Sequence, residues 1–215
     1  MIESHGWLFP DHERHLQEWL NGPKAGLVLN GRRAYQGWKQ TAAMDYCRRF
    51  RTAIDIGAHV GLWSYNFAHR FARVFAFEPV DEHRKCFRAN VTQGNVYLRC
   101  EALGRTFGYV AMATEDGSSG NTQVSGSGDV PMITLDSCEY DDADLIKIDA
   151  EGYEENILRG AVETLERCRP VVIVEQKGDM ATRFGLEPLG AVTYLQSLGY
   201  AIAEESAGDY IMVPA

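Results

Sequence analysis

The chain reads as an α/β protein built on a mostly parallel, doubly wound sheet, and three observations predict this class. Apolar runs alternate with amphipathic stretches along most of its length. A glycine turn, Asp55-Ile56-Gly57-Ala58-His59-Val60-Gly61, joins one apolar run to the next segment. Acidic residues stand at the ends of the runs: Asp55, Glu78, Asp149 and Glu175, with Glu101 as a fifth candidate. In open parallel sheets ligands bind beyond the carboxyl ends of the strands, so these acids mark the rim where a site belongs.

Taken in order, residues 1–50 differ in character from the rest and form a helix/strand extension ahead of a main domain at 51–215. Residues 11–20, DHERHLQEWL, predict a short helix closed by Asn21-Gly22-Pro23. Ala25 to Asn30 predicts a strand, with Asn30-Gly31 as its turn. Tyr35, Trp38 and Tyr46 add aromatic rings before the main domain, so the extension either caps a pocket or packs as a satellite under the sheet. Ala53, Ile54 and Ile56 around Asp55 predict a strand, Leu62 to Phe71 a helix, and Val74 to Phe77 a second strand that stops at Glu78-Pro79. Strand, glycine turn, helix and strand ending in an acid make a βαβ unit.

Val80 to Thr92 then predicts a helix and Val96 to Cys100 a third strand, while Tyr109 to Ala113 alternates like a strand. Residues 115–129, EDGSSGNTQVSGSGD, read as a glycine/serine-rich loop too polar to be buried, either a mobile lid or a disordered connection. Met132 to Leu135 is extended, and Leu145 to Ile148 leads into Asp149. One helix is expected from about Tyr153 to Cys168, with Ile157, Leu158, Ala161 and Leu165 on one face. Val171 to Val174 is a buried strand ending at Glu175, followed by a helix near 187–198. Tyr200–Ala203 and Tyr210–Val213 close the chain as a hairpin.

Composition excludes several function classes. With 215 residues, 45% hydrophobic and 24% charged, the chain has the values of a globular domain able to bury one substantial core. A net charge of −9 argues against a surface for nucleic-acid phosphates; Arg48, Arg49, Arg51, Arg70 and Arg73 read as a solvated face. The 5 cysteines are odd in number and show no C-x-x-C pair, which suits free thiols in a reducing compartment. His12-Glu13-Arg14-His15 is one residue short of a zinc-binding H-E-x-x-H helix, and no metal site is expected. Neither a signal peptide nor an apolar run of about 18 residues is present, so a cytoplasmic protein without membrane contact is expected, with homo-oligomerisation left open.

The glycine turn is D-x-G-x-x-x-G, whereas a dinucleotide fingerprint is G-x-G-x-x-G. An aspartate at the first glycine position would repel a pyrophosphate but tolerates a cation such as the sulfonium and ammonium of S-adenosylmethionine. Gly57 can take a positive φ and let backbone approach a ligand, and the segment after Gly61 presents helix N–H groups. Glu78, 21 residues beyond Gly57, is placed to accept both ribose hydroxyls. The plainer alternatives are that Asp55 caps the turn and Glu78 merely precedes a proline-terminated strand. Asp149 is placed to face a methyl group and its acceptor, and Glu151 follows in a turn that Gly152 makes flexible. Orienting the reactants can supply roughly 7–11 kcal/mol of such a displacement. A hydroxyl acceptor also needs its proton removed, for which a positioned carboxylate is suited. Lys147, on the opposite face of its strand from Ile146 and Ile148, either holds Asp149 ionised or forms a structural salt bridge.

From about Thr52 to Gln176 these pieces resemble the FkbM-type S-adenosylmethionine-dependent methyltransferases. The likeness lies in the glycine turn, Phe77-Glu78-Pro79, Asn90, Ala102-Leu103-Gly104, Leu135-Asp136, Ile146-Lys147-Ile148-Asp149-Ala150-Glu151-Gly152-Tyr153-Glu154, Leu158-Arg159-Gly160-Ala161, and Arg169-Pro170 running into Glu175. The resemblance implies a Rossmann-like class I methyltransferase fold with a C-terminal antiparallel hairpin, and O-methylation of a small-molecule hydroxyl on a natural product or sugar. It implies that Asp55, Gly57 and Gly61 cradle the methionine part of the cofactor, Glu78 the ribose and Ala102 the adenine, with Asp149 and Glu151 lining the reaction centre. His59 stands where the family commonly carries Asn; it could bond the methionine carboxylate, gate the pocket, or be a packed neutral histidine. The competing functions are a nicotinamide-dependent oxidoreductase of related fold, a module that binds the cofactor without catalysis, and a methyltransferase acting on a macromolecule.

Overall fold

The computed structural model describes residues 1–22, 26–115 and 118–215. The extension begins with a hairpin of β1 (Ile2–Ser4) and β2 (Trp7–Phe9), then α1 (His15–Asn21), a second hairpin of β3 (Val28–Leu29) and β4 (Arg32–Arg33), and α2 (Gly37–Asp45). The βαβ unit follows as β5 (Thr52–Ile56), α3 (Ser64–Ala68) and β6 (Arg73–Phe77), continued by α4 (Asp81–Asn90) and β7 (Val96–Arg99). Five short strands come next: β8 (Ala102–Leu103), β9 (Gly108–Val110), β10 (Met112–Glu115), β11 (Ser118–Val124) and β12 (Val130–Ile133). The chain re-enters the main sheet with β13 (Ala143–Ile148), α5 (Glu154–Arg159), α6 (Val162–Cys168), β14 (Val171–Glu175) and α7 (Gly190–Ser197), and ends in β15 (Tyr200–Ser206) and β16 (Asp209–Pro214).

The main sheet runs β15-β16-β14-β13-β5-β6-β7. β14, β13, β5, β6 and β7 are parallel, and β16 lies antiparallel to both β14 and β15. The predicted closing hairpin is therefore the edge of the sheet. From β5 the chain steps outward to β6 and β7, then crosses back to place β13 on the other side of β5. This is the topological switch point, where helices leave opposite faces and a crevice opens beyond the strand ends. Lys147 pairs with Asp55 in the β13–β5 register, so that the two charged residues lie side by side at the crevice floor.

Alternation along each strand divides the core in two. Ile54, Ile56, Ile146, Ile148, Val172 and Val174 pack on one face against Ile157, Leu158, Leu165 and Leu195. Ala53, Val74, Leu145 and Ile173 pack on the other, under Phe67 and under Trp7, Phe9, Leu16 and Leu20 of the extension. Trp7 is fully buried, and its Nε1 donates to the Arg33 carbonyl at 2.8 Å. Asn90 fastens β2 to the glycine turn: its Oδ1 accepts from Leu8 N at 2.8 Å, and its Nδ2 donates to Leu8 O at 2.8 Å and Val60 O at 2.9 Å. Residues 1–50 thus complete one side of the core, and part of them also reaches the crevice.

The helix expected from Leu62 to Phe71 spans only Ser64–Ala68, Tyr109 to Ala113 divides between β9 and β10, and three further elements differ from the sequence expectation. The helix expected over 153–168 is two helices, because Gly160 crosses the turn at Gly104, where a Cβ would overlap the Gly104 carbonyl oxygen. The second of them, α6, starts on Asp136, whose carboxylate accepts from Glu163 N at 3.1 Å and Thr164 N at 2.8 Å. Within the polar stretch 115–129, Ser118–Val124 form β11, which pairs antiparallel with β10, and Ser119 is fully buried; 116 and 117 lie outside the described residues, and 125–129 form no strand. Ser119 tolerates burial because Glu13 accepts from both its N–H and its hydroxyl. Finally, only Val28–Leu29 of the predicted strand 25–30 is extended, and Ala25 lies outside the described residues. The Asn30-Gly31 turn forms as expected, with φ of 51° and 85°.

Candidate functional site

The crevice at the switch point is a cleft of about 280 Å³. Its inner wall is the glycine turn. Gly57 has φ 70°, and a Cβ there would overlap the Asp149 carbonyl oxygen, so bare backbone is required between β5 and β13. Gly57 N and Ala58 N both donate to Phe77 O, at 3.1 and 3.0 Å, which binds the turn to the end of β6. His59 adopts φ 50°, a left-handed conformation that asparagine takes more readily than most residues. Gly61 has φ 91°, and its missing side chain leaves room for Val91 and Phe87.

Glu78 follows β6 and faces the cleft. Its Oε2 accepts from His59 N at 2.8 Å; its Oε1 accepts from Val80 N at 2.8 Å and lies 3.2 Å from His83 Nδ1. The carboxylate is thereby held rigidly while keeping acceptor capacity for further donors. Across the cleft, Asp149, Glu151 and Glu175 bring carboxylate oxygens within 4.8 Å of one another, a spacing able to hold a cation. Burial and the neighbouring Asp149 and Glu154 push the Glu151 carboxyl up to about 8. Burial and Asp149 likewise push Glu175 well above the usual carboxylate range, against the opposing pull of Lys177. Lys147 is buried between the groups: its Nζ lies 3.3 Å from Asp55 Oδ1 and 3.7 Å from Asp149 Oδ2, and donates to Gly57 O at 2.8 Å. Burial pulls its pKa down, but Asp55 and Asp149 overcome this and hold it above the ordinary lysine value. Lys147 thus forms a structural ion pair with Asp55 and also faces Asp149.

The turn carrying Glu151 is built by Glu154. Its Oε1 accepts from Ala150 N at 3.0 Å and Gly152 N at 2.9 Å, and its Oε2 from Gln176 Nε2 at 3.1 Å. Glu151 is thus held at φ 54°, with Gly152 at φ 100°. The roof comes from elements with no obvious sequence signature. Ser119 of β11 and His15, Leu16 and Tyr35 of the extension line the cleft. His59 Nε2 lies 2.8 Å from Ser119 Oγ, and the two His rings, 59 and 83, meet edge to face at 4.5 Å. Burial, with His83 and Lys147 nearby, holds the His59 imidazole well below its usual pKa, and hence neutral at pH 7. Trp63, only 4% exposed, lines the cleft with an indole N–H that has no partner.

Of the residues singled out in the sequence, Gly57, His59, Glu78, Ala102, Asp149 and Glu151 line this one cleft. Asp55 and Gly61 do not. Asp55 is fully buried beneath the floor, accepting from Ser64 Oγ at 2.6 Å and facing Lys147, while Gly61 is turned toward α4. Their position beneath the lining makes them supports of the glycine turn. Glu101 reaches the lining while bonded to Arg99 at 2.6 Å. Trp63 and Ser119 line the cleft without a sequence signal that marks them, while Tyr35 belongs to the extension expected as a possible cap; Ser119 meets Glu13 across 106 positions, a separation no local spacing reveals. The 5 cysteines are free, and among the described residues no helix is long and apolar enough to cross a membrane.

The methyltransferase FkbM domain model matches residues 55–202. No protein of curated function matches the chain. The fold is similar to that of methyltransferase FkbM from Methylobacillus flagellatus KT, with TM-score 0.52 and 15% identity over 76% of this chain and 43% of that one. The chain therefore spans less than half the length of that relative. A putative methyltransferase from Streptococcus mutans in complex with SAH aligns with TM-score 0.53 and 10% identity, over 82% of this chain and 94% of that one. A putative rRNA-methylase from Clostridium thermocellum aligns with TM-score 0.52 and 11% identity, over 86% and 96% of the two chains. At such identities these structures speak for a Rossmann-like methyltransferase fold alone. The domain match, covering well over half of the sequence, goes further: this chain belongs to the FkbM family of S-adenosylmethionine-dependent methyltransferases.

Proposed function

We propose that this protein binds S-adenosylmethionine in the switch-point cleft and methylates a hydroxyl of a small molecule. The observation that carries the reading is the meeting of Gly57's bare backbone with the carboxylates of Glu78, Asp149, Glu151 and Glu175 on one cleft. The residues fit the cofactor on three counts. Gly57 leaves a cradle that a Cβ would fill, Trp63 offers an unpartnered buried donor, and the acid-rich wall suits a cation. In this reading Glu78 accepts the ribose hydroxyls, the backbone at Gly57 and Ala58 borders the methionine part, and Ala102 borders the adenine. Bound there, the cofactor supplies a methyl group on a positively charged sulfur, open to in-line displacement.

The chain's own residues do the rest. Asp149, steadied by Lys147, orients the acceptor. Glu151 takes the acceptor's proton: a base is most useful when its pKa lies near the working pH, and its carboxyl titrates at about 8. A bound cation beside it favours the ionised form and so readies it as a base. The roof formed by Ser119, Leu16 and Tyr35, together with a net charge of −9, supports a small acceptor over a nucleic acid. Isothermal titration of the chain with S-adenosylhomocysteine and with NAD tests the cofactor. Binding of the first and not the second is expected, and the reverse refutes the reading. Transfer of labelled methyl across a panel of hydroxylated metabolites then tests the acceptor, and a gel shift with RNA at physiological salt would overturn the small-molecule assignment.

A further inference from the structure

We propose that Glu13 and Ser119 are positioning residues that clamp the β10–β11 hairpin onto the glycine turn and so close the roof over the bound cofactor, an inference that rests on the cofactor reading above. Glu13 is fully buried. Its Oε1 accepts from Leu16 N at 2.7 Å, and its Oε2 accepts from Ser119 N at 2.6 Å and from the Ser119 hydroxyl. A carboxylate removed from water needs such donors, and losing one leaves a buried acceptor unmatched. Ser119 has a single hydroxyl proton, which it gives to Glu13. Its contact with His59 Nε2 at 2.8 Å is then one in which Ser119 accepts, and His59 carries its proton on Nε2.

From His59 the chain of bonds continues without a gap: its backbone N–H donates to Glu78 Oε2 at 2.8 Å. Four residues therefore connect the extension, the hairpin, the glycine turn and the acid assigned to the ribose. Glu13 lies outside the matched family domain at 55–202, so the clamp reaches the glycine turn from the extension. The rejected zinc-like run at 12–15 acquires a different role, since Glu13 turns inward while the exposed His12 faces Glu82 at 3.7 Å.

A clamp over the ligand must open before the ligand leaves, so its loss should be read in the release rate. The full-length chain is loaded with S-adenosylhomocysteine, and dissociation is followed by stopped flow for wild type, Glu13→Gln, Ser119→Ala and the double variant, with melting temperatures alongside. Each single variant should release the probe roughly tenfold faster, and the double variant no faster than either single one, because both break the same connection. A purely structural role would lower melting temperature without this coupling in release. Should Glu13→Gln fail to fold, Ser119→Ala removes one oxygen atom and carries the test. Wild-type release rates in folded variants, or effects that add, overturn the clamp. Absence of binding to the wild-type chain overturns the cofactor reading itself, and the clamp with it.

Discussion

Replacing Glu151 by glutamine should raise the thermal stability of the free protein at neutral pH. In the folded chain this carboxyl titrates at about 8, against an ordinary 4.5, because it is buried beside Asp149 and Glu154. The sign follows from linkage: with the folded pKa raised, the contribution to stability is complete below the ordinary value of 4.5 and is lost as pH rises through about 8. At pH 7 the unfolded chain has released the proton and the folded chain retains it. At about 1.4 kcal/mol per pH unit, this opposes folding by about 3 kcal/mol. Glutamine has the shape of the protonated acid and does not titrate. For a chain of this size, 3 kcal/mol corresponds to a rise of about 6–12 °C in Tm at pH 7, shrinking to about 1 kcal/mol at pH 5. Scanning calorimetry of both proteins at pH 5 and pH 7 measures the difference. A gap that is absent at pH 7, or equal at the two pH values, would refute the electrostatic account of the acid cluster.

Three further outcomes follow from the same geometry. Glu78→Ala should weaken S-adenosylmethionine binding at least tenfold by titration calorimetry, since a two-pronged hydrogen bond to a carboxylate is worth more than about 1.5 kcal/mol; unchanged affinity removes Glu78 from the ribose site. Asp149→Asn should leave the melting temperature close to that of wild type yet reduce turnover by about a hundredfold, and wild-type turnover would exclude it from the mechanism. Gly57→Ala should destabilise the chain by more than about 3 kcal/mol in denaturant unfolding, because the new methyl meets the Asp149 carbonyl and φ is 70°. A loss below 1 kcal/mol would mean that the turn does not need bare backbone.

Local sequence carried the parallel sheet, because a buried strand must be an apolar run and its end must be punctuated. Val74 to Phe77 stopping at Glu78-Pro79, and Ile146 to Ile148 stopping at Asp149, announced both strand and rim. Six of the eight residues assigned to the cofactor or the reaction centre share the cleft for the same reason: strand ends in a doubly wound sheet converge on one edge. Asp55 was legible as a strand-end acid, but not its side. Alternation in β5 turns it below the floor toward Ser64 and Lys147, and only the strand pairing reveals that. In β11, at the centre of the stretch 115–129, polarity does not mean exposure. Ser119 is buried by virtue of a carboxylate 106 residues away, and a hydrogen bond across such a distance leaves no trace in local composition. The chain by itself thus determined the order of elements and the chemistry along the rim, which are properties of neighbouring residues. The roof of the site, the neutral state of His59 and the raised proton affinity of Glu151 were decided by tertiary structure alone, since burial and charge proximity exist only once distant segments meet.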